Sequence, residues 1–244
     1  MKAIILAAGK GERLKPLTNR IPKAMIQIGD KPLLEYNITL LKKYGIKDIA
    51  INLHHLPNII KNHLGDGSKF GVRILYSFEK ELLGTAGAIK NIENFFDDTF
   101  LVMHGDNLTN LNLSSLIEFH KQHDSIGTIC LYSKERNIAS SSIVLMNDNN
   151  EIIQFIEKPK KDVLKKLKSS RKWINAGIYI FEPAVLDFIP SKKFFDFGLD
   201  LFPKLIAEKM KIYGYPIKDC FWYEIGTLKK YEKVKKDIKN RRIF

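Results

Sequence analysis

The period of the apolar positions changes repeatedly along the chain, and each change predicts an element. Lys2 to Ala7 is an almost continuous apolar run, the pattern of a strand buried on both faces. From Pro32 to Tyr44 the residues Leu33, Tyr36, Leu40, Leu41 and Tyr44 share one helical stripe, and "YGIKDIAINL" then turns at Gly45 into a second strand. The alternation continues with a helix over 56–64, a strand over 72–78, a helix over 86–96 and a strand over 99–104. This βαβαβαβ order predicts an α/β fold, three-layer and Rossmann-like, with a mostly parallel mixed sheet and right-handed crossovers.

Beyond residue 126 the texture differs. "SSIVLMNDNNEIIQFIEKP" reads as two strands around an Asn147 to Asn150 turn, a hairpin that an all-parallel sheet does not need. "WINAGIYIF" predicts another strand and "FDFGLDLFPKLIAEKM" a helical stretch, followed by "KIYGYPI". In the tail, Leu228, Tyr231, Val234 and Ile238 fall at helical spacing, so an amphipathic basic helix is expected over about 228–240. No internal repeat, low-complexity tract or Pro/Gly/Ser-rich linker interrupts the 244 residues, which predicts a single domain over 1–244.

Charge changes this picture little. The net charge of +13 resides in two segments, +7 over Lys158 to Lys172 and +6 over Lys229 to Phe244, and the rest of the chain is balanced. A solvated face accounts for such runs better than a nucleic-acid surface, so no nucleic-acid partner is expected. The opening apolar run is too short for a signal peptide, and no later stretch has the roughly 18 apolar residues of a membrane span, so no membrane insertion is expected. Cys130 and Cys220 form no metal-ligand or CxxC pattern, which suits a reducing cytoplasm. Cytoplasmic localisation follows as an expectation, and assembly into a homo-oligomer is left open.

In open α/β sheets ligands bind beyond the carboxyl ends of the strands. That rule singles out Ala8 to Arg13, Gly84 to Gly87, Gly105-Asp106 and Glu157-Lys158. The first of these is neither a Walker loop, since no Gly-Lys-Ser/Thr occurs, nor a dinucleotide fingerprint, since Leu14 stands where the third glycine would be. Backbone N–H groups from Gly9 to Gly11, with Arg13 and Lys23 on an irregular loop containing Pro16 and Pro22, supply donors for several phosphates.

On these residues the chain resembles the sugar-1-phosphate nucleotidylyltransferases. "LAAGKGERLKPLTNRIPKAM" is similar to the family signature, and "LGTAGAIK", "MHGDN", "FIEKP", "INAGIYIF" and "WYEIGT" follow in the family's order over nearly the whole chain. The resemblance implies transfer of a nucleoside monophosphate from an NTP to a sugar 1-phosphate, with release of pyrophosphate. It implies that Leu6, Ala7, Ala8, Gly9, Gly11, Glu12, Arg13 and Lys23 line the nucleotide, with Arg13 and Lys23 holding the triphosphate, and that Gly84, Thr85, Ala86 and Gly87 lie along the nucleoside. Gly84 and Gly87 would leave room for base or ribose, and Thr85 would offer hydrogen bonds. Asp106 is implied as a ligand of Mg²⁺. The family's second metal ligand, usually aspartate, is here Glu224, which either binds the metal or pairs with a nearby lysine.

Glu157 and Lys158 are implied as contacts of the sugar and its phosphate, with Asn175 and Gly177 as further sugar contacts; without the resemblance, Glu157-Lys158 reads as a surface ion pair. "LGTAG" is closer to the guanylyl-transferring branch, which favours GTP. His54, His55 and Asn52 follow the second strand and either line the base pocket or brace the fold. The resemblance leads to the expectation of no C-terminal β-helix of the kind many mannose-1-phosphate guanylyltransferases carry, and of a substrate among mannose, heptose or N-acetylmuramic acid 1-phosphates as in short relatives. Two alternatives stand beside this reading: nucleotidyl transfer to a non-sugar phosphate such as phosphocholine, and a nucleotide-sugar-binding regulatory subunit with weak catalysis.

Overall fold

A computed structural model describes residues 1–133, 141–160, 162–163, 167 and 172–240. Most of the lysine-rich 158–172 stretch therefore lies outside the described residues, as does the end of the basic tail.

In chain order the elements begin with β1 (Lys2–Leu6), β2 (Gln27–Ile28), β3 (Lys31–Pro32), α1 (Leu33–Lys43), β4 (Asp48–Leu53), α2 (Pro57–Leu64) and β5 (Arg73–Phe78). Then come α3 (Gly84–Lys90), β6 (Phe100–His104), β7 (Asn107–Thr109), α4 (Leu113–Lys121), β8 (Gly127–Ser133), β9 (Ile143–Met146) and β10 (Ile152–Ile156). The chain closes with β11 (Trp173–Phe181), α5 (Phe202–Ala207), β12 (Ile212–Pro216), β13 (Trp222–Glu224) and α6 (Leu228–Lys239). The fold is of the mixed α/β class that the alternation predicts.

Two compact units share the chain. The first comprises Met1–Leu82, Leu101–Leu113 and Cys220–Phe244. Its sheet runs β6-β1-β4-β5, with β1 parallel to β4 and β4 parallel to β5. Ile4, Ile5, Ile49, Ile51, Leu101 and Val102 are fully buried, which is why these strands read as continuous apolar runs. A second core joins Leu14, Ile26, Ile28, Leu33, Leu108, Ile225 and Val234, with Tyr231 and Ile238 packed against it. Leu14, the residue that spoils the dinucleotide pattern, thus anchors the glycine loop, and its full burial is worth about 2 kcal/mol. The tail helix packs as its stripe predicts except at Leu228, which is 38% exposed.

The second unit comprises Leu83–Phe100 and Ser114–Asp219. Its strands run β10-β9-β11-β8-β12; the predicted hairpin is the antiparallel β9–β10 pair, and only β12 runs parallel to its neighbour β8. Tyr179, Phe181, Phe197 and Phe202 form a buried aromatic cluster here, with ring centroids 5.0 to 6.3 Å apart. Two predicted helices differ in extent. The helix over 86–96 begins at Gly84 and ends at Lys90, with only a 3₁₀ turn at Glu93–Phe95, because Asn91 and Asn94 favour local bonding over helix. The stretch from Phe195 opens as a π turn, Phe197–Leu201, before α5. Pro203 cannot donate to the carbonyl four residues back, so a regular α-helix cannot extend through that point.

Candidate functional site

β1 ends at Leu6 and the glycine loop follows. Leu6 accepts a hydrogen bond from Gly105 N–H at 2.9 Å, and Ala7 N–H donates to Asn52 Oδ1 at 2.7 Å, so these two residues use backbone groups to tie neighbouring strands together. Ala8 is buried, whereas Gly9 is exposed and a Cβ on it would meet nothing within 4 Å. Gly11 differs: its φ of 67° is left-handed, and a Cβ there would come within 2.8 Å of Thr18 and 3.1 Å of Lys23. It is needed to fold the loop back on itself, a fold also tied by Thr18 Oγ1 donating to Gly11 O at 2.9 Å. Three short 3₁₀ turns, Glu12–Leu14, Leu17–Asn19 and Lys23–Met25, carry exposed Glu12 and Arg13 and half-buried Lys23.

Lys23 Nζ donates to Asp106 Oδ2 in an ion pair with both side chains largely buried. Burial opposes the charge on Asp106, but Lys23 and His104 beside it outweigh that cost and hold its carboxyl below the usual carboxylate range. β7 and β13 pair antiparallel, Glu224 opposite Asn107, and Ile225 N–H donates to Asp106 O at 2.8 Å. Glu224 Oε2 accepts from Lys230 Nζ in the first turn of α6, while Oε1 lies against Gly226. Arg13 Nη2 reaches within 3.3 Å of where a Gly226 Cβ would stand. Arg13, Lys23, Asp106 and Glu224, widely separated in sequence, are therefore gathered in one unit.

The carboxylates suit a hard divalent cation, which keeps several waters and needs only one or two protein oxygens. Each already attracts a cationic group, an ammonium, where such an ion would add its charge. Among the described residues no group of three or more His, Cys, Asp or Glu that could hold a metal ion converges. Glu224 does meet a lysine, as one of the two expectations had it; this leaves its capacity as a ligand intact.

His54 Nδ1 donates to Glu79 O and His55 Nε2 to Thr18 O, both at 2.9 Å, while Asn52 Nδ2 donates to the buried Glu79 at 2.7 Å. These three side chains brace the loops.

In the second unit the Gly84–Gly87 segment is the first turn of α3. A Cβ on Gly84 would lie 2.5 Å from Phe195 O, and one on Gly87 would lie 2.9 Å from Lys193 O. On the side where their side chains would stand, the space is filled by the 193–195 backbone. Ala86 and Gly87 N–H both donate to Phe195 O, and Phe195 N–H donates to Leu83 O at 2.8 Å. Thr85 Oγ1 donates to Asp196 Oδ2 at 2.9 Å and accepts from Phe197 N–H at 2.8 Å, so its hydroxyl proton is committed within the protein.

Glu157 and Lys158 follow β10 as predicted. They pair at 2.9 Å, with Lys158 65% exposed, while Ser142 Oγ donates to the other Glu157 oxygen. Asn175 sits at a bulge in β11, with Oδ1 accepting from Gly177 N–H at 2.9 Å and Nδ2 donating to Tyr179 Oη at 2.8 Å. Gly177 has the left-handed φ of 68° that this tight turn needs. Burial pushes the Tyr179 hydroxyl up, so it stays neutral and serves as a fixed partner. Sequence reasoning missed Ser142, Asp196 and Lys230, which lie in no motif, and Gly226, which lies in "WYEIGT" but was not singled out; only the fold brings them to the expected residues.

A glycine loop, two cations and two carboxylates at strand ends define a phosphate-handling α/β protein. The chain belongs to the nucleotidyl transferase family, whose model matches residues 2–241. It is 40% identical to a UTP–glucose-1-phosphate uridylyltransferase from Synechocystis over 100% of this chain and 64% of that protein. It is 33% identical to a probable mannose-1-phosphate guanylyltransferase from Oryza sativa over 95% of this chain and 63% of the relative. The chain thus spans less than two thirds of the length of these curated relatives. Among solved structures, HddC from Yersinia pseudotuberculosis complexed with GMP-PN superposes with a TM-score of 0.79 at 25% identity, covering 97% of this chain and 99% of that one. A putative glucose-1-phosphate thymidylyltransferase from Bacillus anthracis gives a TM-score of 0.84 at 24% identity, covering 100% and 96%, and supports the fold. Among the described residues no helix is long and apolar enough to cross a membrane.

Proposed function

We propose that the protein transfers a nucleoside monophosphate from an NTP to a sugar 1-phosphate, forming an NDP-sugar and pyrophosphate. The observation that carries the reading is that one unit gathers Arg13, Lys23, Asp106 and Glu224 together with the glycine loop. A phosphate oxygen of the sugar phosphate attacks the α-phosphorus, and the bond to the β-phosphate breaks. Charge develops on the leaving pyrophosphate, so positioned cations supply most of the effect. Arg13 grips phosphate oxygens through its planar fork, and Lys23 moves from Asp106 to the triphosphate. Asp106 and Glu224 would hold Mg²⁺, which would supply positive charge against the phosphates. Lys158 meets the sugar phosphate; Glu157, braced by Ser142, accepts from sugar hydroxyls beside Asn175 and Gly177. The family match across both units supports one catalytic domain.

"LGTAG" and the guanylyl-transferring relatives favour GTP; the 40% identity to a uridylyltransferase favours UTP, with glucose 1-phosphate as acceptor. The test is pyrophosphate release with Mg²⁺ over four or five triphosphates, GTP and UTP first, against a set of sugar 1-phosphates and phosphocholine. Release that requires one triphosphate together with one sugar 1-phosphate is the expected result. A second reading, nucleotide-sugar binding with weak turnover, is favoured by Lys230 on Glu224. Tight binding with no release across the panel would establish it instead.

A further inference from the structure

The exposed Phe194 and the buried Phe197 belong to a short segment, "KFFDFG", that meets α3, Glu157 and Tyr179 of β11. Its Lys193 to Phe195 backbone fills the space over Gly84 and Gly87 and accepts both amides of the α3 first turn. Next in sequence, Asp196 uses one carboxylate oxygen for Thr85 Oγ1, and the other for Gly198 N–H at 2.9 Å and Leu199 N–H at 3.2 Å. Its own N–H donates to Asp200 Oδ2 at 2.7 Å, which closes the turn. Phe197 packs on Tyr179, the partner of Asn175, with centroids 5.0 Å apart. Gly198 ends the run against Glu157: a Cβ there would stand 2.5 Å from Glu157 Oε2 and 3.0 Å from Phe155.

We propose that the 193–198 segment is a brace coupling the nucleoside-side turn at Gly84–Gly87 to the sugar-side residues Glu157 and Asn175, with Asp196 as its positioning residue. The inference deepens the nucleotidyl-transfer reading and rests on it. Thr85 is joined to Glu157 through three short links: its bonds to Asp196 and Phe197, the Asp196 cap on Gly198, and the contact of Gly198 with Glu157. Hydrogen bonds to a carboxylate in a packed setting have little freedom to lengthen, so a displaced Thr85 shifts the turn that holds Glu157. The segment thus acts on both substrates from a place that touches neither.

The test compares wild type with Thr85→Val, Thr85→Ser, Asp196→Asn and Gly198→Ala in the full chain, reading thermal midpoint and the KM of each substrate separately. Valine matches threonine in size but loses both hydrogen bonds, so we expect KM for the sugar 1-phosphate to rise about five- to tenfold, alongside that for the triphosphate. Thr85→Ser should restore both. Asp196→Asn keeps one acceptor oxygen for the turn, so it remains folded and should reproduce the paired rise. Gly198→Ala, which pushes on Glu157, should raise the sugar-phosphate KM most. A Thr85→Val or Asp196→Asn protein with an unchanged midpoint and an unchanged sugar-phosphate KM would overturn the coupling. Failure of the functional reading appears differently, as absence of pyrophosphate release in the wild type. In that case binding of the triphosphate and of the sugar 1-phosphate by calorimetry gives the same comparison without turnover.

Discussion

The two units hold their candidate site residues by different physics. In the first, the groups are charges balanced by other charges: Lys23 on Asp106, and Lys230 on Glu224 beside Arg13. In the second, most are polar groups fastened by hydrogen bonds, with Thr85 tied to Asp196, Asn175 to Tyr179, and Glu157 to Ser142. An ion pair can exchange partners when a more highly charged ligand arrives, because the new contact replaces the attraction that is lost. A hydrogen bond inside a packed turn, such as Thr85 on Asp196, has no comparable substitute, so its geometry is set before the ligand comes. Under the proposed function, the first unit would rearrange around phosphate and metal while the second presents a fixed surface.

The sharpest attack on this contrast is Asp106→Asn. It removes a proposed metal oxygen and the partner of Lys23 together, and we expect turnover to fall about 10²- to 10³-fold. Wild-type turnover in that variant would end the metal assignment. The next is a pair of glycine substitutions. Gly84→Ala forces a left-handed φ of 76° on alanine and a Cβ into the Phe195 backbone, so a loss of about 2 kcal/mol or more in denaturant unfolding is expected. Gly9→Ala meets open space and should stay within about 0.5 kcal/mol of wild type while weakening the triphosphate. Equal stability losses for the two would remove the distinction between a loop open to a ligand and a turn filled by the protein. Smaller again is Lys158→Ala. This side chain is mostly exposed, and its loss should raise KM for the sugar 1-phosphate about tenfold with kcat little changed; an unaltered KM would remove it from the sugar side.

The same contrast explains what could be read in advance. Hydrophobic period located the parallel strands of the first unit, because strands buried on both faces must be apolar throughout, and it located the β9–β10 hairpin from its Asn-rich turn. Three-residue strands such as β7 and β13 were invisible, being too short to show a period. The charged candidates were named by their place near strand ends and glycine turns together with the resemblance, without which Glu157-Lys158 reads as a surface ion pair. The bracing residues were not: Asp196 lies 111 positions from Thr85, and the glycines of "LGTAG" look the same in sequence whether a nucleoside or a backbone fills the space above them. Similarly, nothing in "WYEIGT" shows that Lys230 will fold back on Glu224 across the Thr227 cap.

Lys230 gives the smallest effect and the finest test of exchangeable charge. It stands in the first turn of α6, where the helix dipole disfavours a cation, and Glu224 is the partner that offsets this. Both side chains are partly exposed, so Lys230→Ala should change stability by less than about 1 kcal/mol. The Glu224 carboxylate would then face a divalent ion without a competing ammonium. Direct titration of the ligand-free protein with Mn²⁺ should show binding tightened about two- to threefold, since an exposed ion pair is worth at most about 1 kcal/mol. A Glu224→Gln protein should bind more weakly than wild type and be insensitive to Lys230→Ala. If Lys230→Ala weakens the ion, the lysine supports the carboxylate instead of competing for it, and the first unit is as fixed as the second.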